Sequence, residues 1–277
     1  MILDWRKVAS GIYDDLKIKI SKLKERPSLA AVLVWNNPAS ISYIKQKKKF
    51  AEYVWMDFVF IELSLNITEE ELLLIIEDLN IDKKISGYIV QLPLPSHIDS
   101  QKIIDKISPE KDVDWFTKEN IGKLFLWEDD GMISCTPKWI KKLLDEYGID
   151  LNWKNVTIIG KSNIVGKPLS LLFINNSATV TVCNSRTKNL SEHTLKSDIV
   201  VSAAWIPNLV KKEMISPWTV IIDVGFNKIW DKLVWDCDFA ELEPDNYITP
   251  VPWWVGAMTV AMLIENTYLA HLNNLHE

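Results

Sequence analysis

Tyr43 and Lys47 stand four residues apart in Tyr43-Ile44-Lys45-Gln46-Lys47, so a helix there puts a phenol and an amine on one face. Such an amine can steer water or move protons near neutrality only if burial or a neighbouring charge lowers its pKa. The plainer reading is a solvated basic run over residues 45–49. Gln91 opens Gln91-Leu92-Pro93-Leu94-Pro95, where two prolines force the chain out of a sheet. Gln91 then lies at the carboxyl edge of its strand, where ligands bind in open α/β sheets. Asp112 and Asp114 follow in Lys111-Asp112-Val113-Asp114, either as part of the same site or as loop acids in water.

A second chemistry is written around Gly160-Lys161-Ser162-Asn163-Ile164-Val165-Gly166-Lys167-Pro168. Between a strand and a helix, bare backbone N–H groups and the positive helix end can hold a pyrophosphate. A P-loop needs four residues between its glycines and Ser or Thr after the lysine. Here five intervene and Pro168 follows Lys167, which disfavours nucleotide hydrolysis. The dinucleotide fingerprint is imperfect as well, because Ser162 replaces its second glycine. The next strand ends at Cys183-Asn184-Ser185-Arg186, without the acid that binds an NAD ribose. Ser185 and Arg186, with Lys161 nearby, suit a 2′-phosphate, so the expected cofactor is NADP.

The elements that must position these groups alternate. Apolar spacing predicts a helix over residues 6–26, a strand over 29–34, a helix over 38–54 and a strand over 57–63. Thr68 with Glu71 forms a capping box for a helix reaching residue 79. A strand over 86–92, a short helix over 98–107 and a helix over 137–147 closed by Gly148 complete the first half. Strands over 155–159, 179–183, 198–202 and 219–224, a helix over 165–174 and a closing helix from Met258 make up the second. Alternation on this scale implies an α/β protein with mainly parallel sheets. Tyr147-Gly148-Ile149-Asp150 reads as the linker between halves.

The 277 residues are 48% hydrophobic and 25% charged, enough for one large or two ordinary domains with a real core. A net charge of −6 argues against bulk attraction to nucleic acid or anionic lipid. Cys135, Cys183 and Cys237 are too few and scattered for a disulfide framework or metal cluster, and read as reduced thiols. Met1-Ile2-Leu3-Asp4 lacks a signal-peptide pattern, and no apolar run approaches a membrane span. The expectation is a soluble, cytoplasmic protein with no nucleic-acid or membrane partner.

One feature of the composition is anomalous. Tryptophan occurs 13 times and glycine only 9 times. Glycine is thus about 3% of the chain against a usual share of about 7%. The tryptophans also sit at turn sites. Trp35 precedes Asn36-Asn37-Pro38, Trp153 lies in Asn-Trp-Lys-Asn, Trp218 follows Pro217, Trp230 separates two β-like runs and Trp253-Trp254 follow Pro252. These are places for a residue that accepts positive φ or close backbone approach. The expectation is that glycine belongs at many or all of them, as when a UGA codon decoded as glycine is written as tryptophan.

Asn37-Pro38-Ala39-Ser40 leading into Tyr43 and Lys47, Val90-Gln91-Leu92-Pro93-Leu94-Pro95 and Pro109-Glu110-Lys111-Asp112-Val113-Asp114 together resemble one family. Cys135-Thr136-Pro137, the Gly160 to Pro168 turn, Ile222-Asp223-Val224-Gly225 and Thr249-Pro250-Val251-Pro252 match it too, in order along the whole chain. The chain is similar to the bifunctional methylenetetrahydrofolate dehydrogenase/methenyltetrahydrofolate cyclohydrolases. Where that family has glycine, tryptophan stands at Trp35, Trp115, Trp253 and Trp254; Ala257 stands where proline is common.

The resemblance implies an α/β catalytic domain over residues 1–138, a Rossmann-like domain over 139–257, a cleft between them and a helix over 258–277 packed back on the first. It implies NADP-dependent oxidation of 5,10-methylenetetrahydrofolate in one-carbon metabolism, then hydrolysis to 10-formyltetrahydrofolate. Lys47 would be the central catalytic group, Tyr43 would shape the folate pocket, Gln91 would hold the lysine and Asp114 would accept hydrogen bonds from the pterin. Gly160, Lys161, Ser162, Gly166, Ser185 and Arg186 would hold the cofactor's phosphates, with Phe226 on the nicotinamide half. No metal is required, and the family is usually a homodimer. The alternatives are a monofunctional dehydrogenase, or a catalytically dead dinucleotide-binding protein whose tryptophans are genuine.

Overall fold

The structure, a computed structural model, describes residues 1–35, 38–128, 132–229, 232–250 and 255–275. Expectations at Trp230, Trp253, Trp254 and the Asn36-Asn37 and Val251-Pro252 strings lie outside the described residues. The chain divides into two compact units. One comprises Ala9–Cys135 with Gly256–Glu277, the other Met1–Val8 with Thr136–Val255.

The unit built on Ala9–Cys135 carries most of helix α1 (Trp5–Ile20), then β1 (Ser28–Val34), α2 (Pro38–Tyr53), β2 (Asp57–Leu63), α3 (Glu69–Ile81), β3 (Gly87–Val90), α4 (Ser100–Ile104) and α5 (Lys118–Leu126). Its parallel sheet runs β2-β1-β3. Central β1 is buried at all seven residues, as a strand covered on both faces should be, whereas edge strand β2 alternates. Thr68 caps α3 reciprocally with Glu71 as expected, and Lys111 donates to the carbonyls of Leu79 (2.8 Å) and Asp82 (2.7 Å) at the other end. Helix α1 stops at Ile20, short of the predicted residue 26, where Lys22 and Leu23 switch to three-residue backbone bonds. Helix α5 was not predicted at all.

The other unit contains α6 (Cys135–Glu146), β4 (Asn155–Ile159), α7 (Gly166–Asn175), β5 (Thr179–Cys183), α8 (Leu190–Thr194), β6 (Ile199–Ser202), β7 (Val220–Asp223), β8 (Phe226–Ile229), β9 (Lys232–Trp235), α9 (Phe239–Leu242) and β10 (Tyr247–Ile248). Its five strands pair in parallel in the order β10-β7-β6-β4-β5, with β8 and β9 as a separate hairpin. The chain's first residues join this unit. Leu3 donates to Ile248 (2.9 Å), and the Asp4 N–H donates to the Tyr147 hydroxyl (2.6 Å). Tyr147-Gly148-Ile149-Asp150 therefore lies inside a unit rather than between units, a correction to the sequence reading. The final helix, α10 (Val255–Asn274), runs almost wholly within the unit built on Ala9–Cys135.

Seven of the described tryptophans have left-handed backbones: Trp35, Trp55, Trp115, Trp127, Trp153, Trp205 and Trp218, with φ from 59 to 76°. For an L-residue each such position costs roughly 1–2 kcal/mol. Trp115 and Trp139 are in addition buried with indole N–H groups that have no partner.

Candidate active site

Within the unit built on Ala9–Cys135, α2 and the ends of β3 and its following loops converge on one amine. The Lys47 ammonium donates to Gln91 Oε1 at 2.9 Å. Gln91 sits just past the end of β3, pinned by its backbone N–H to the Val32 carbonyl (2.9 Å) and by its side-chain amide to the Leu92 carbonyl (2.9 Å). Its carbonyl oxygen is thereby presented to the lysine. Burial lowers the Lys47 pKa from the usual lysine value, while the charges of Asp114 and Cys135 push the other way. Burial raises the Asp114 pKa, Lys47 lowers it, Asp112 raises it, and a hydrogen bond with Cys135 lowers it. An amine and a carboxyl have each been moved toward neutrality mainly by loss of water. Tyr43, one turn before Lys47, is half-buried, and burial raises its pKa.

Lys45, Lys48 and Lys49 are exposed, as the solvated-run reading requires; Lys47 alone among these lysines turns inward. Asp112 is not a loop acid in water. It is buried and accepts from the Phe116 N–H (3.1 Å), the Thr117 N–H (2.8 Å), the Thr117 hydroxyl (2.7 Å) and the Asn120 amide (3.1 Å). That carboxylate anchors the start of α5 and has no capacity left for a ligand. Asp114, two residues on, is the one that faces the lysine.

Two contributors were not singled out from sequence. Cys135, read as a reduced thiol within a family-matching string but given no role, bonds Asp114 and acts electrostatically on Lys47. Buried Asn266 on α10 donates to the carbonyls of Val113 and Ile133, both at 3.0 Å, and so holds the loops on either side of the site. Neither role has a local signal, since their partners lie more than a hundred residues away for Asn266 and about twenty for Cys135.

In the other unit the glycine turn opens directly from β4. Gly160 has φ +131°, and a Cβ there would lie 2.4 Å from the Ala203 carbonyl oxygen. A Cβ on Gly166 would lie 2.0 Å from the Gly160 carbonyl oxygen. Both glycines therefore permit the close strand–helix approach of a dinucleotide cradle. Ser162, at the missing second glycine, accepts from Val165 (3.1 Å) and Gly166 (3.4 Å) through its hydroxyl oxygen. Lys161 follows β4, and Ser185 and Arg186 follow the adjacent β5; all three are exposed. The Arg186 N–H donates to Asn184 Oδ1 (3.0 Å), fixing the turn. The residues fit an NADP phosphate set: a backbone cradle with exposed cations at the neighbouring strand end. Phe226 on β8 is partly exposed and meets the Trp205 ring edge-on at 5.3 Å.

Beneath these loops lie two buried carboxyls. Asp223 accepts from the backbone N–H groups of Gly225 (3.0 Å) and Cys237 (2.7 Å), and burial pushes its pKa up to about 8. Asp236, wholly buried, faces the chain after β6.

An α/β protein with a desolvated lysine–glutamine pair in one unit and a dinucleotide cradle in the other is the class defined so far. The catalytic-domain model of tetrahydrofolate dehydrogenase/cyclohydrolase matches residues 3–114, and its NAD(P)-binding domain model matches residues 134–275. The chain belongs to the tetrahydrofolate dehydrogenase/cyclohydrolase family. It is 46% identical over 271 residues to the bifunctional protein FolD of Bacillus pumilus, covering 96% of this chain and 95% of that one. Among solved structures it resembles the bifunctional FolD methylenetetrahydrofolate dehydrogenase/cyclohydrolase of Campylobacter jejuni (42% identity, TM-score 0.96, 99% of both chains). It also resembles the Trypanosoma brucei enzyme solved with NADP cofactor and inhibitor (34% identity, TM-score 0.93, 100% of this chain and 99% of that one).

Proposed function

We propose that this protein oxidises 5,10-methylenetetrahydrofolate with NADP and hydrolyses the resulting methenyl cation to 10-formyltetrahydrofolate. The observation that carries the reading is the Lys47–Gln91 hydrogen bond beside Asp114. An amine whose pKa is lowered by burial and which is held by a neutral acceptor can exchange protons with substrate. Gln91 orients Lys47 without fixing its charge, and Asp114 accepts from the amino and ring N–H groups of the pterin. Tyr43 supplies a ring face and a hydroxyl to the folate. In the hydrolytic step Lys47 positions the attacking water and takes its proton as the C–O bond forms. The hydroxyl of that adduct then gives up its proton to solvent as the carbonyl forms and the C–N bond breaks, and Lys47 passes its proton to the departing ring nitrogen. NADP, when bound, accepts the hydride. Gly160, Ser162 and Gly166 hold its pyrophosphate, and Lys161, Ser185 and Arg186 its 2′-phosphate.

The unit of Ala9–Cys135 is then the folate domain and that of Thr136–Val255 the cofactor domain. No described helix is long and apolar enough to cross a membrane, which agrees with a cytoplasmic enzyme. A homodimer is supported by edge strand β2, which among the described residues pairs only with β1 and exposes Val59 and Phe60. Phe60→Glu should shift such a dimer to monomer in light scattering.

The test uses protein from its own cells, supplied with methylenetetrahydrofolate and NADP. NADPH formation followed by 10-formyltetrahydrofolate is expected. NADPH without hydrolysis would establish the monofunctional reading, and neither product the dead-protein reading.

A further inference from the structure

We infer that the working polypeptide carries glycine at the positions written as tryptophan. Four helices end in the same hydrogen-bonded motif. At α7, Ala178 donates to Phe173 (3.0 Å) and Ser177 to Ile174 (2.9 Å). At the end of α6, Ile149 donates to Leu144 (2.9 Å) and Gly148 to Asp145 (3.0 Å); at α2, Met56 donates to Ala51 (2.9 Å) and Trp55 to Glu52 (3.1 Å). At α5, Glu128 donates to Lys123 (3.0 Å) and Trp127 to Leu124 (3.2 Å). This is the Schellman closure, whose pivot is left-handed and usually glycine. The pivots have φ of 66° at Gly148, 64° at Trp55 and 59° at Trp127. One backbone device is thus closed once by glycine, once by Ser177 (φ 66°) and twice by tryptophan, a bulky residue for which positive φ is an outlier.

The other left-handed tryptophans fit the same account. Trp153 and Trp218 hold their indoles 87% and 77% exposed, so no packing offsets the backbone strain there. Trp115 is strained and also buries an unpartnered N–H. The seven left-handed positions carry the inference; a codon shared with the other six tryptophans would extend it to them. Resting on the cofactor reading, it also bears on function. The Trp205 ring lies against Phe226, where the nicotinamide half would sit; glycine at 205 frees that face.

Peptide mass spectrometry of protein from its own cells tests this without reference to activity. Glycine in peptides spanning residues 55, 127, 153 and 218 is expected; tryptophan in them, or UGG codons at those positions, overturns the inference. A recombinant pair isolates the physics in the full chain with glycine at the other twelve positions. With Trp153 as the starting residue, Trp153→Gly should raise Tm by about 2–4 °C, and Trp153→Ala, which keeps the Cβ, should not. Equal gains from both would refute backbone strain as the cause.

A different observation carries a second inference: Asp236 is a positioning residue for the cofactor. Its Oδ2 accepts from the Ser202 hydroxyl (3.0 Å) and the N–H groups of residues 204 (2.7 Å) and 205 (3.0 Å). Its Oδ1 accepts from Ile206 N–H (2.9 Å) and the Asn227 amide (3.4 Å). A Cβ on Gly225 would fall 2.1 Å from this carboxylate, so the space is reserved for it. Three consecutive N–H groups after β6 are thus drawn inward, and the loop's other face is left to line the cofactor side of the sheet edge. This too rests on the cofactor reading. In the glycine-bearing enzyme, Asp236→Asn should raise the KM for NADP about tenfold and leave hydrolysis of methenyltetrahydrofolate unchanged. Ser202→Ala, a milder deletion, should raise it about two- to threefold. Parallel loss of both activities, or an unchanged KM in both variants, overturns the inference; absence of dehydrogenation in the parent enzyme fails the cofactor reading instead.

Discussion

The two units handle charge in opposite ways. Around Lys47 the protein strips water from an amine and a carboxyl, and in the proposed reaction the side chains themselves are the reagents. Around Gly160 the side chains proposed to meet the cofactor, Lys161, Ser185 and Arg186, stay in solvent, and the buried part of the device is bare backbone. Proton transfer needs a pKa moved toward the working pH, which burial supplies. Holding a phosphate needs cations that remain charged, which exposure supplies, and close approach, which glycine supplies. Chemistry and binding therefore call for different depths.

The sharpest way to break this contrast is Lys47→Ala. Hydrolysis of methenyltetrahydrofolate should fall by about 10²–10⁴-fold, the usual weight of a positioned acid–base group, and unchanged turnover would remove the lysine from the mechanism. On the other side, Gly166→Ala places a methyl 2.0 Å from a backbone oxygen. Overpacking of about 1–3 kcal/mol should appear as a roughly 10–100-fold rise in the KM for NADP, with hydrolysis retained. If both activities fell equally, the cradle would be a fold element only.

Arg186→Ala should raise the KM for NADP by roughly tenfold, in line with a charge-assisted hydrogen bond of about 1.5–3 kcal/mol. Added salt should shrink the difference because the guanidinium is exposed, and the KM for NAD should stay put. Asp114→Asn tests the buried side through pH. The Asp114 charge raises the Lys47 pKa, so its removal should move the alkaline-rising limb of hydrolysis to lower pH. An unmoved limb would mean that another group titrates.

The smallest effect concerns Asp223. Its folded pKa of about 8 lies above the usual carboxylate value, so its contribution to stability is full below the unfolded pKa of about 4 and is lost as pH rises toward 8. Thermal melts across that window should slope downward with pH, and Asp223→Asn should flatten the slope. The same slope in both proteins would place the titration elsewhere.

What sequence reading missed has a pattern. Helix α5, nine residues long and closed at residue 127, escaped notice although its apolar spacing is ordinary; the longer α2, also closed by a tryptophan, and α6, closed by Gly148, were found. The β8–β9 hairpin was half seen as two runs around Trp230. Tyr147-Gly148-Ile149-Asp150 looked like a linker because turn chemistry marks the end of a helix as readily as the end of a domain.

The local devices were fixed by the chain itself, because they involve neighbours within a few residues: the Thr68–Glu71 box, the Tyr43–Lys47 spacing, the Gly160–Gly166 turn. Family motifs likewise named Lys47, Gln91 and Asp114 as partners. Only the folded structure showed the physical reason for preferring Asp114: Asp112 is consumed as an anchor, whereas Asp114 faces the lysine. It alone recruited Cys135 and Asn266 and gathered three backbone amides onto Asp236. Those assignments depend on burial and on which groups share a desolvated space, quantities that exist only once distant segments have packed.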